Sequence, residues 1–328
     1  MKKTKNRLMK QWILLSFLFV IFVMSIGMIY LGSTVFRSQL PFFQLIDSKS
    51  EDSVIIGPEP TPNEGVIDFD AGQSVSLYMV LGSDYRPQSG FRTDVILLVA
   101  LDKNSGKMSF ISFPRDLWVT IPGYGEQRIN TVMQLGGYQL LAETLQFNFG
   151  VYPTQYAMID MEGFLQVFDV LGGITFETDS YTADACETEL NPARWCEVGP
   201  GTVTLDSQWA LWYVRARYNS SDFDRMRRTQ EVVKAVIDKV ISPTGMLKIA
   251  ELTQIYDSEV ESNINPDQLL PLSQLGINFN SDNDIRRFTI GPDVVTSWTT
   301  PDGGAVLLPN TEAIQGVLEE ALNFESVP

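Results

Sequence analysis

The sequence predicts an α/β fold in which a mixed central β-sheet is covered by helices on both faces. Two observations indicate this class. Apolar, β-branched segments alternate along the chain with segments of helical periodicity. Between two of the apolar segments lies Asn104-Ser105-Gly106, a hairpin signal that joins two strands without a helix. A sheet that combines a hairpin with helical connections is expected to be mixed and to carry packed helices.

Each predicted element follows from its local pattern. Strands are expected where apolar and β-branched residues dominate, at Val75–Leu81, Asp94–Leu101, Lys107–Phe113, Gln155–Asp160, Ile174–Glu177 and Asp284–Ile290. Helices are expected where apolar residues recur at helical spacing, at Asn130–Asn148, Met161–Leu171, Asp206–Ala216, Arg225–Ile241, Gly245–Gln254, Pro266–Leu275 and Asn310–Asn323. No internal repeat or second linker interrupts this series, so residues 75–323 are predicted to form one domain, followed by a short tail at 324–328.

Composition excludes several kinds of chemistry. The 328 residues include no histidine and two cysteines. A Ser-His-Asp triad, a His-ligated zinc site and a histidine phosphoryl carrier all need an imidazole, and two thiols are too few for an iron–sulfur cluster. Any catalysis must therefore use carboxylates, hydroxyls, arginines or a bound hard cation.

The N-terminal segment has the features of a membrane anchor. Five basic residues precede Trp12–Leu31, which provides 20 residues without a charge, enough to span the hydrocarbon core as a helix. We expect a cytoplasmic segment at 1–11, a transmembrane helix at 12–36, an extracellular linker at 37–74 and the folded domain outside the cell membrane. The alternative is a cleaved signal peptide, whose apolar stretch is usually shorter and ends at a small-residue cleavage site.

The rest of the chain is strongly acidic. After residue 37 it contains 18 basic and 40 acidic residues, a net charge of −22. Such a surface does not favour nucleic acid as a partner, because phosphate backbones are bound through basic surfaces. An anion site in this domain must therefore come from a local concentration of arginine.

Cys186 and Cys196 lie ten positions apart in an irregular insertion before the predicted helix at 206–216. Outside the cytoplasm such a pair is expected to form a loop-closing disulfide. The spacing is not Cys-x-x-Cys, which argues against a redox role, and two free thiols are the remaining alternative.

Polar residues follow the predicted strands. Asp84 comes after the first strand, Arg92 and Asp94 lead into the second, and Arg115 and Arg128 follow the third. Because neighbouring strand ends meet at one edge of an open sheet, these side chains are expected to lie together and to suit Mg²⁺ shared with a phosphate or pyrophosphate. The alternatives are turn or cap roles for the aspartates and a plain surface ion pair for Arg115.

A second group of arginines lies further along the chain. Five arginines fall within fourteen residues, from Arg215 to Arg228. Planar guanidinium groups bind phosphate oxygens bidentately, and the start of the helix near Arg225 adds backbone N–H donors. The pattern favours an anion site, with a solvated helix face or a seat for anionic lipid headgroups as the alternatives.

Several motifs in this order resemble the LytR-CpsA-Psr family of cell-wall glycopolymer ligases. The motifs are LGSDYR, FRTDVILLVALD, ISFPRDLWVTIPGYG, RIN, YVRAR and DFDRMRRTQ, and the resemblance covers about residues 76–320. It implies an extracellular α/β domain behind one transmembrane helix. It also implies a phosphotransferase that moves an anionic glycopolymer from a polyprenyl-pyrophosphate carrier to a peptidoglycan sugar hydroxyl, on N-acetylmuramic acid.

The resemblance also implies roles for single residues. Asp84 and Asp94 would bind the metal, Mg²⁺ with Mn²⁺ as the alternative ion. The pyrophosphate-binding residues would be Arg92, Arg115, Arg128, Arg215, Arg217, Arg225, Arg228 and Gln230, with Arg228 in the outer shell of the site. The catalytic residues among them would be Arg92, Arg115, Arg215 and Arg217. Two positions depart from the family pattern, because Asp224 replaces a glycine and Thr229 replaces a glutamine. The shorter Thr229 side chain would reach a phosphate only through a bridging water.

The partners that the resemblance implies are a polyprenyl-pyrophosphate-linked glycopolymer, peptidoglycan and membrane lipid, with no nucleic acid. Asp116 and Asp94 are the candidates for a base that accepts the proton of the acceptor hydroxyl. Two other functions would use the same residues. One is a hydrolase of polyprenyl-pyrophosphate lipids, and the other is a non-catalytic lipid-binding or wall-attachment module.

Overall fold

The computed structural model describes residues 74–86, 90–218, 220–264 and 279–324. Within these ranges no helix is long and apolar enough to cross a bilayer. The predicted cytoplasmic segment at 1–11, the transmembrane helix at 12–36 and the linker up to residue 73 lie outside the described residues, as does the predicted helix at 266–275. The predictions for those segments therefore stay predictions.

The described ranges contain the following elements. The strands are β1 Val75–Arg86, β2 Gly90–Asp102, β3 Met108–Ser112, β4 Trp118–Ile121, β5 Gly125–Arg128, β6 Gln155–Ile159, β7 Ile174–Thr178, β8 Thr182–Ala185, β9 Trp195–Val198, β10 Gly201–Leu205, β11 Val260–Ser262, β12 Ile285–Thr289, β13 Val295–Thr299 and β14 Ala305–Pro309. The helices are α1 Val132–Phe149, α2 Met161–Leu171, α3 Ser207–Arg215, α4 Asp222–Ile241, α5 Pro243–Met246, α6 Ile249–Glu259, α7 Ser281–Asp284 and α8 Thr311–Leu322.

The central sheet is mixed, as predicted, and its strand order is β11-β6-β1-β2-β3-β12. β1 pairs antiparallel with β2, and β2 pairs antiparallel with β3. β6 pairs with β1 and β12 pairs with β3 in parallel, while β11 closes the other edge antiparallel to β6. At the hairpin signal, the Asp102 carboxylate accepts hydrogen bonds from the backbone N–H groups of Asn104 and Ser105. These bonds stabilise the turn that the sequence predicts between β2 and β3.

Helices cover both faces because the central strands direct apolar side chains to both sides. Ile96 and Leu98 belong to a core that includes residues of α1 and α8. Leu97 and Phe110 belong to a second core on the other face, against which α4 packs. Alternation along a strand has a period of two, so neighbouring positions of β2 reach opposite cores. The predicted two-sided arrangement is therefore what the structure has.

The insertion that contains the two cysteines is more regular than predicted. β8 and β9 pair antiparallel, and Cys186 and Cys196 form a disulfide with an S–S distance of 2.04 Å. Both sulfur-bearing residues pack in a third core with Phe168 and Trp212. The two strands have four residues each, too few for an alternation pattern to separate them from a loop.

The observed helices differ from the predicted ones where glycine and proline set their limits. The predicted helix at 130–148 begins at Val132 and is broken at Gly136 and Gly137, and Gly137 has a φ of 68°, which favours glycine. The predicted helix at 245–254 is replaced by α5 and α6, because Pro243 starts a separate short helix that Ser242 caps. α4 begins earlier than predicted, at Asp222.

Candidate functional site

A β-bulge in the β1–β2 pair sets the position of one predicted metal ligand. Gly82 pairs with Val95, but the next residue on β1, Ser83, pairs with Thr93. The register therefore shifts by one residue at Asp94. A bulge bends its strand and redirects the side chain of the inserted residue, and such features are common beside functional sites.

The second predicted metal ligand, Asp84, lies directly opposite Arg92 across the two strands. Both were predicted in loops, and this is wrong, because β1 and β2 continue as paired strands beyond the bulge. The bulge also inverts the alternation of β2. Phe91 packs with the core under α1, whereas Val95, four positions later, packs with the core under α4. Asp84 and Arg92 thus lie on a paired part of the sheet, and Asp94 is the bulge residue beside them.

Arg115 connects carboxylates from three parts of the chain. Its Nη1 donates to Asp94 Oδ1 at 2.9 Å, and its Nε lies 3.5 Å from Asp116 Oδ2 and 3.7 Å from Asp222 Oδ1. Burial lowers the pKa of Arg115, but the hydrogen bond to Asp94 and the three negative charges outweigh this and raise the pKa above its ordinary value. Arg115 is therefore held as a cation at the centre of the cluster.

Arg225 lies in the first turn of α4, and its side chain is only 7% exposed. Its Nη2 lies 2.8 Å from Asp222 Oδ1 and donates to the Asp94 carbonyl oxygen at 3.4 Å. Burial lowers the pKa of Arg225, Asp222 opposes this effect, and the nearby charges of Arg115 and Arg217 add to it. Arg225 is thus a buried cation among other cations, an arrangement that an anion stabilises.

A capping box fixes the start of α4. The Ser221 backbone N–H donates to Asp224 Oδ2 at 2.7 Å, and the Asp224 backbone N–H donates to Ser221 Oγ at 3.1 Å. Burial raises the pKa of Asp224, but the bonds from Ser221 outweigh it and leave the pKa below its ordinary value. Asp224, one of the two departures from the family pattern, therefore contributes to the turn that presents Arg225.

Arg228, predicted to bind pyrophosphate, is buried at 1% exposure and bonded to the backbone. Its Nε donates to the Tyr213 carbonyl oxygen at 2.8 Å, and its Nη2 donates to the Ala216 carbonyl oxygen. Burial lowers its pKa. These contacts tie α4 to the end of α3, which gives Arg228 a positioning role.

Gln230 and Thr229 are also engaged inside the protein. The Gln230 amide donates to Ser112 Oγ at 2.9 Å and to the Phe288 carbonyl oxygen at 2.7 Å, which joins α4 to β3 and β12. The Thr229 hydroxyl donates to the Arg225 carbonyl oxygen at 3.0 Å, within the helix. As with Arg228, the geometry favours positioning roles for both side chains over the predicted contact with a phosphate.

The remaining predicted arginines are more exposed. Arg128 Nε lies 3.2 Å from Asp116 Oδ1, and its Nη2 donates to the Ala305 carbonyl oxygen at 2.9 Å. Arg215 ends α3 and is exposed. Arg217 is also exposed, but it is close enough for its charge to lower the pKa of Arg225. The structure thus joins Arg115, Arg128 and Arg225 into one arginine cluster, with Arg217 beside it.

The cluster contains buried N–H donors that suit an anion. Nε of Arg115 and Nε of Arg128 are buried and form no hydrogen bond with the described residues, although Asp116 lies within ion-pair distance of both. Buried N–H groups that make no hydrogen bond are costly, so an anion with several oxygen atoms would stabilise them. The donors point to a ligand of the phosphate or pyrophosphate type.

The predicted metal site can be compared with the ligands that the chain offers. Within the described ranges no group of three or more His, Cys, Asp or Glu residues could hold a metal ion. Asp84 and Asp94 would therefore supply two carboxylates, a donor set of the kind that binds Mg²⁺ when phosphate oxygens and water provide the other ligands.

Asp222 was not predicted as a site residue, although it contacts both Arg115 and Arg225. A usable signal was present in the sequence, because Asp222 precedes Arg225 by three positions, a spacing at which opposite charges pair on a helix. The contact with Arg115, by contrast, joins residues more than a hundred positions apart and has no local signal.

Solved structures share this fold. The crystal structure of B. subtilis TagV superposes with a TM-score of 0.63 at 25% identity, covering 78% of this chain and 100% of TagV. The structure of TagT bound to LIIa-WTA superposes with a TM-score of 0.62 at 23% identity, covering 84% of this chain and 100% of TagT. The similarity to TagT is a similarity of fold alone.

Curated relatives and a family model agree with the structural likeness. Regulatory protein MsrR of Staphylococcus aureus (strain COL) is 29% identical over 271 residues, which cover 80% of this chain and 77% of MsrR. Polyisoprenyl-teichoic acid–peptidoglycan teichoic acid transferase TagU of Oceanobacillus iheyensis is 30% identical over 208 residues, which cover 59% of this chain and 60% of TagU. The LytR_cpsA_psr family model matches residues 52–321. The chain therefore belongs to the LytR_cpsA_psr family.

Proposed function

We propose that this chain is a phosphotransferase that moves an anionic glycopolymer from a polyprenyl-pyrophosphate carrier to a peptidoglycan sugar hydroxyl, on N-acetylmuramic acid, and releases polyprenyl phosphate. The observation that carries the proposal is the arginine cluster around Arg115 and Arg225, which holds buried cations and buried N–H groups that make no hydrogen bond. The activity in the name of the relative TagU, transfer of teichoic acid to peptidoglycan, supports the same class of reaction.

The residues of the cluster would share the work of binding and charge stabilisation. Arg115 and Arg225 would bind pyrophosphate oxygens through their planar guanidinium groups, and Arg92 and Arg217 would complete the site at its exposed side. As the bond to the carrier breaks, negative charge grows on the departing polyprenyl phosphate. Cations that are already fixed in place stabilise that charge without reorganisation.

Asp84 and Asp94 would hold Mg²⁺, with Mn²⁺ as the alternative ion, and the bound ion would neutralise pyrophosphate oxygens. The hydrogen bond from Arg115 to Asp94 orients one of these carboxylates and links the ion site to the arginines. The predicted transmembrane helix at 12–36 would keep the domain outside the cell membrane, close to a lipid-linked donor and to peptidoglycan.

The test is a product analysis. The full chain, purified in mild detergent, is incubated with Mg²⁺, a polyprenyl-pyrophosphate oligosaccharide and peptidoglycan fragments, and the products are analysed by mass spectrometry. We expect an oligosaccharide phosphate joined to a fragment. Release of free oligosaccharide phosphate into water would instead support the hydrolase, and binding without any product would support the attachment module. A chain that binds no polyprenyl pyrophosphate would contradict the site itself.

Variants test the arginine cluster. Arg115→Ala and Arg225→Ala are each expected to weaken binding of the donor by about 10- to 100-fold, the range for losing a hydrogen bond to a charged group. Arg287→Ala is the matched control, because Arg287 is an exposed arginine of β12 outside the cluster. Equal donor affinity in all three variants would show that the cluster does not bind the pyrophosphate.

A further inference from the structure

A cleft of about 420 Å³ adjoins the arginine cluster. Trp298, on the β13–β14 hairpin, lines it together with Asp116 and Asp222. Trp298 is 40% exposed, and its ring is steeply inclined to that of Trp118, with ring centroids 6.3 Å apart and an interplanar angle of 64°. The size lies within the roughly 300–1,000 Å³ that is typical of ligand sites.

The hairpin that carries Trp298 is fixed to the arginine cluster. The Leu307 backbone N–H donates to the Asp116 carbonyl oxygen at 3.0 Å, and Arg128 donates to the Ala305 carbonyl oxygen on the same strand. Trp298 therefore keeps a defined position relative to the arginines, although it comes from a distant part of the sequence.

Asp116 and Asp222 form the boundary between the cleft and the cluster. Asp222 Oδ1 is bound by Arg225, whereas its Oδ2 is buried and has no hydrogen-bond donor among the described residues. Asp116 lies within ion-pair distance of Arg115 and Arg128 and is 32% exposed. A carboxylate oxygen without a donor is stabilised by a ligand that brings a hydroxyl group.

An exposed indole beside carboxylates is suited to a sugar. The apolar C–H face of a pyranose ring packs on an aromatic face, and its hydroxyl groups donate to carboxylate oxygens. Ser297 and Thr299, the residues before and after Trp298 on β13, also line the cleft and add polar atoms to it, while Phe223, Ala305, Val306 and Leu307 make the rest of its lining apolar. An apolar lining with an aromatic ring and carboxylates matches a glycan, which presents both C–H surfaces and hydroxyl groups.

We propose that this cleft binds the acceptor glycan, with Trp298 as the platform for a sugar ring and with Asp116 and Asp222 as acceptors for its hydroxyl groups. This inference rests on the proposed function, since the transfer reaction requires a glycan hydroxyl beside the pyrophosphate. The glycan of the donor is the other source of sugar rings, and the comparison of tetrasaccharide binding with donor binding separates the two sources.

The experiment separates glycan binding from transfer. Binding of a peptidoglycan tetrasaccharide to the full chain in detergent is measured by ligand-observed NMR without any donor, and transfer kinetics are measured with both substrates. Trp298→Ala is expected to weaken tetrasaccharide binding by about 3- to 10-fold, the range for an aromatic contact. The KM for the acceptor rises by the same factor, while the KM for the donor is unchanged. Trp298→Phe, which keeps an aromatic face, recovers part of the affinity.

A matched control and a second variant keep the inference open to refutation. Tyr181→Ala removes an aromatic side chain that is 59% exposed and does not line the cleft, so it is expected to leave tetrasaccharide binding unchanged. Trp298→Leu, which keeps apolar bulk but no aromatic face, is expected to weaken tetrasaccharide binding as Trp298→Ala does and to leave donor binding unchanged. Unchanged tetrasaccharide binding in Trp298→Ala, or an effect on the donor alone, would overturn the inference. If the wild-type chain binds the tetrasaccharide but no donor, the proposed function fails while the glycan site stands.

Discussion

The capping box at the start of α4 gives a quantitative prediction. Replacing Asp224 by glycine, the residue of the family pattern, removes the carboxylate that accepts from the Ser221 backbone N–H and from Ser221 Oγ, both at 2.7 Å. Loss of such a cap costs about 1 kcal/mol, and glycine in a helix adds a few tenths of a kcal/mol relative to aspartate. We therefore expect Asp224→Gly to lower the free energy of unfolding by about 1–2 kcal/mol.

The pH dependence of this effect follows from the pKa of Asp224, which lies below its ordinary value of 3.8. A carboxyl group with a lowered pKa stabilises the folded state above the ordinary pKa, and this contribution is lost as the pH falls through the folded-state value. The difference between wild type and Asp224→Gly is therefore full near neutral pH and shrinks below about pH 4.

Thermal unfolding followed by far-ultraviolet circular dichroism tests this reasoning. For a domain of this size the expected loss corresponds to a decrease in Tm of roughly 3–6 °C. Asp238→Gly is the control, because Asp238 lies in the interior of the same helix and forms an exposed i,i+4 ion pair with Lys234. It measures the effect of glycine together with the loss of one surface ion pair, about 1–3 °C. Equal decreases for the two variants would refute the role of the capping box.

Three further predictions concern stability and the metal. Gln230→Ala is expected to lower the free energy of unfolding by about 1–3 kcal/mol in a denaturant titration, because it leaves the Phe288 carbonyl oxygen and Ser112 Oγ without their donor. Reduction of the Cys186–Cys196 disulfide is expected to cost about 2–3 kcal/mol, measured as a lower Tm in a thiol reductant than without it. Chelation with EDTA is expected to stop transfer in the product assay, and Mg²⁺ to restore it, while tetrasaccharide binding is unaffected.

Elements with complete local signals were predicted accurately. The helix predicted at Met161–Leu171 has those bounds in the structure. Asp160 caps its start by accepting from the Gly163 backbone N–H at 2.9 Å, and Gly172 ends it with a φ of 70°. Start, periodicity and stop are all encoded within a dozen residues, so no distant contact is needed to define this helix. The β2–β3 hairpin was predictable for the same reason.

Features that depend on a partner strand were not predictable. The bulge at Asp94 exists only in the register between β1 and β2, and the local sequence was interpreted as a loop that ends where a strand begins at Asp94. The short pairs β4–β5 and β13–β14 have four or five residues per strand, and their positions are set by packing. The candidate site depends on both the bulge and the short strand pairs. The sequence predicted that Asp94 and Arg115 would meet, but not that Asp222 would join them or that Trp298 would lie beside them.

Arg225 and Arg228, the two buried arginines of α4, show why residue type alone did not distinguish a ligand-binding side chain from one that holds the helix in place. Arg228 is held by backbone carbonyl oxygens of α3 and the residue that follows it, contacts that keep the helix in place. Arg225 is held instead by Asp222, a carboxylate that Arg115 also approaches. A cation that shares its carboxylate with a second cation still has attraction left for an anion, whereas one that is saturated by carbonyl groups does not. The sequence places both arginines in one motif, and only their partners favour anion binding by Arg225 and a supporting role for Arg228.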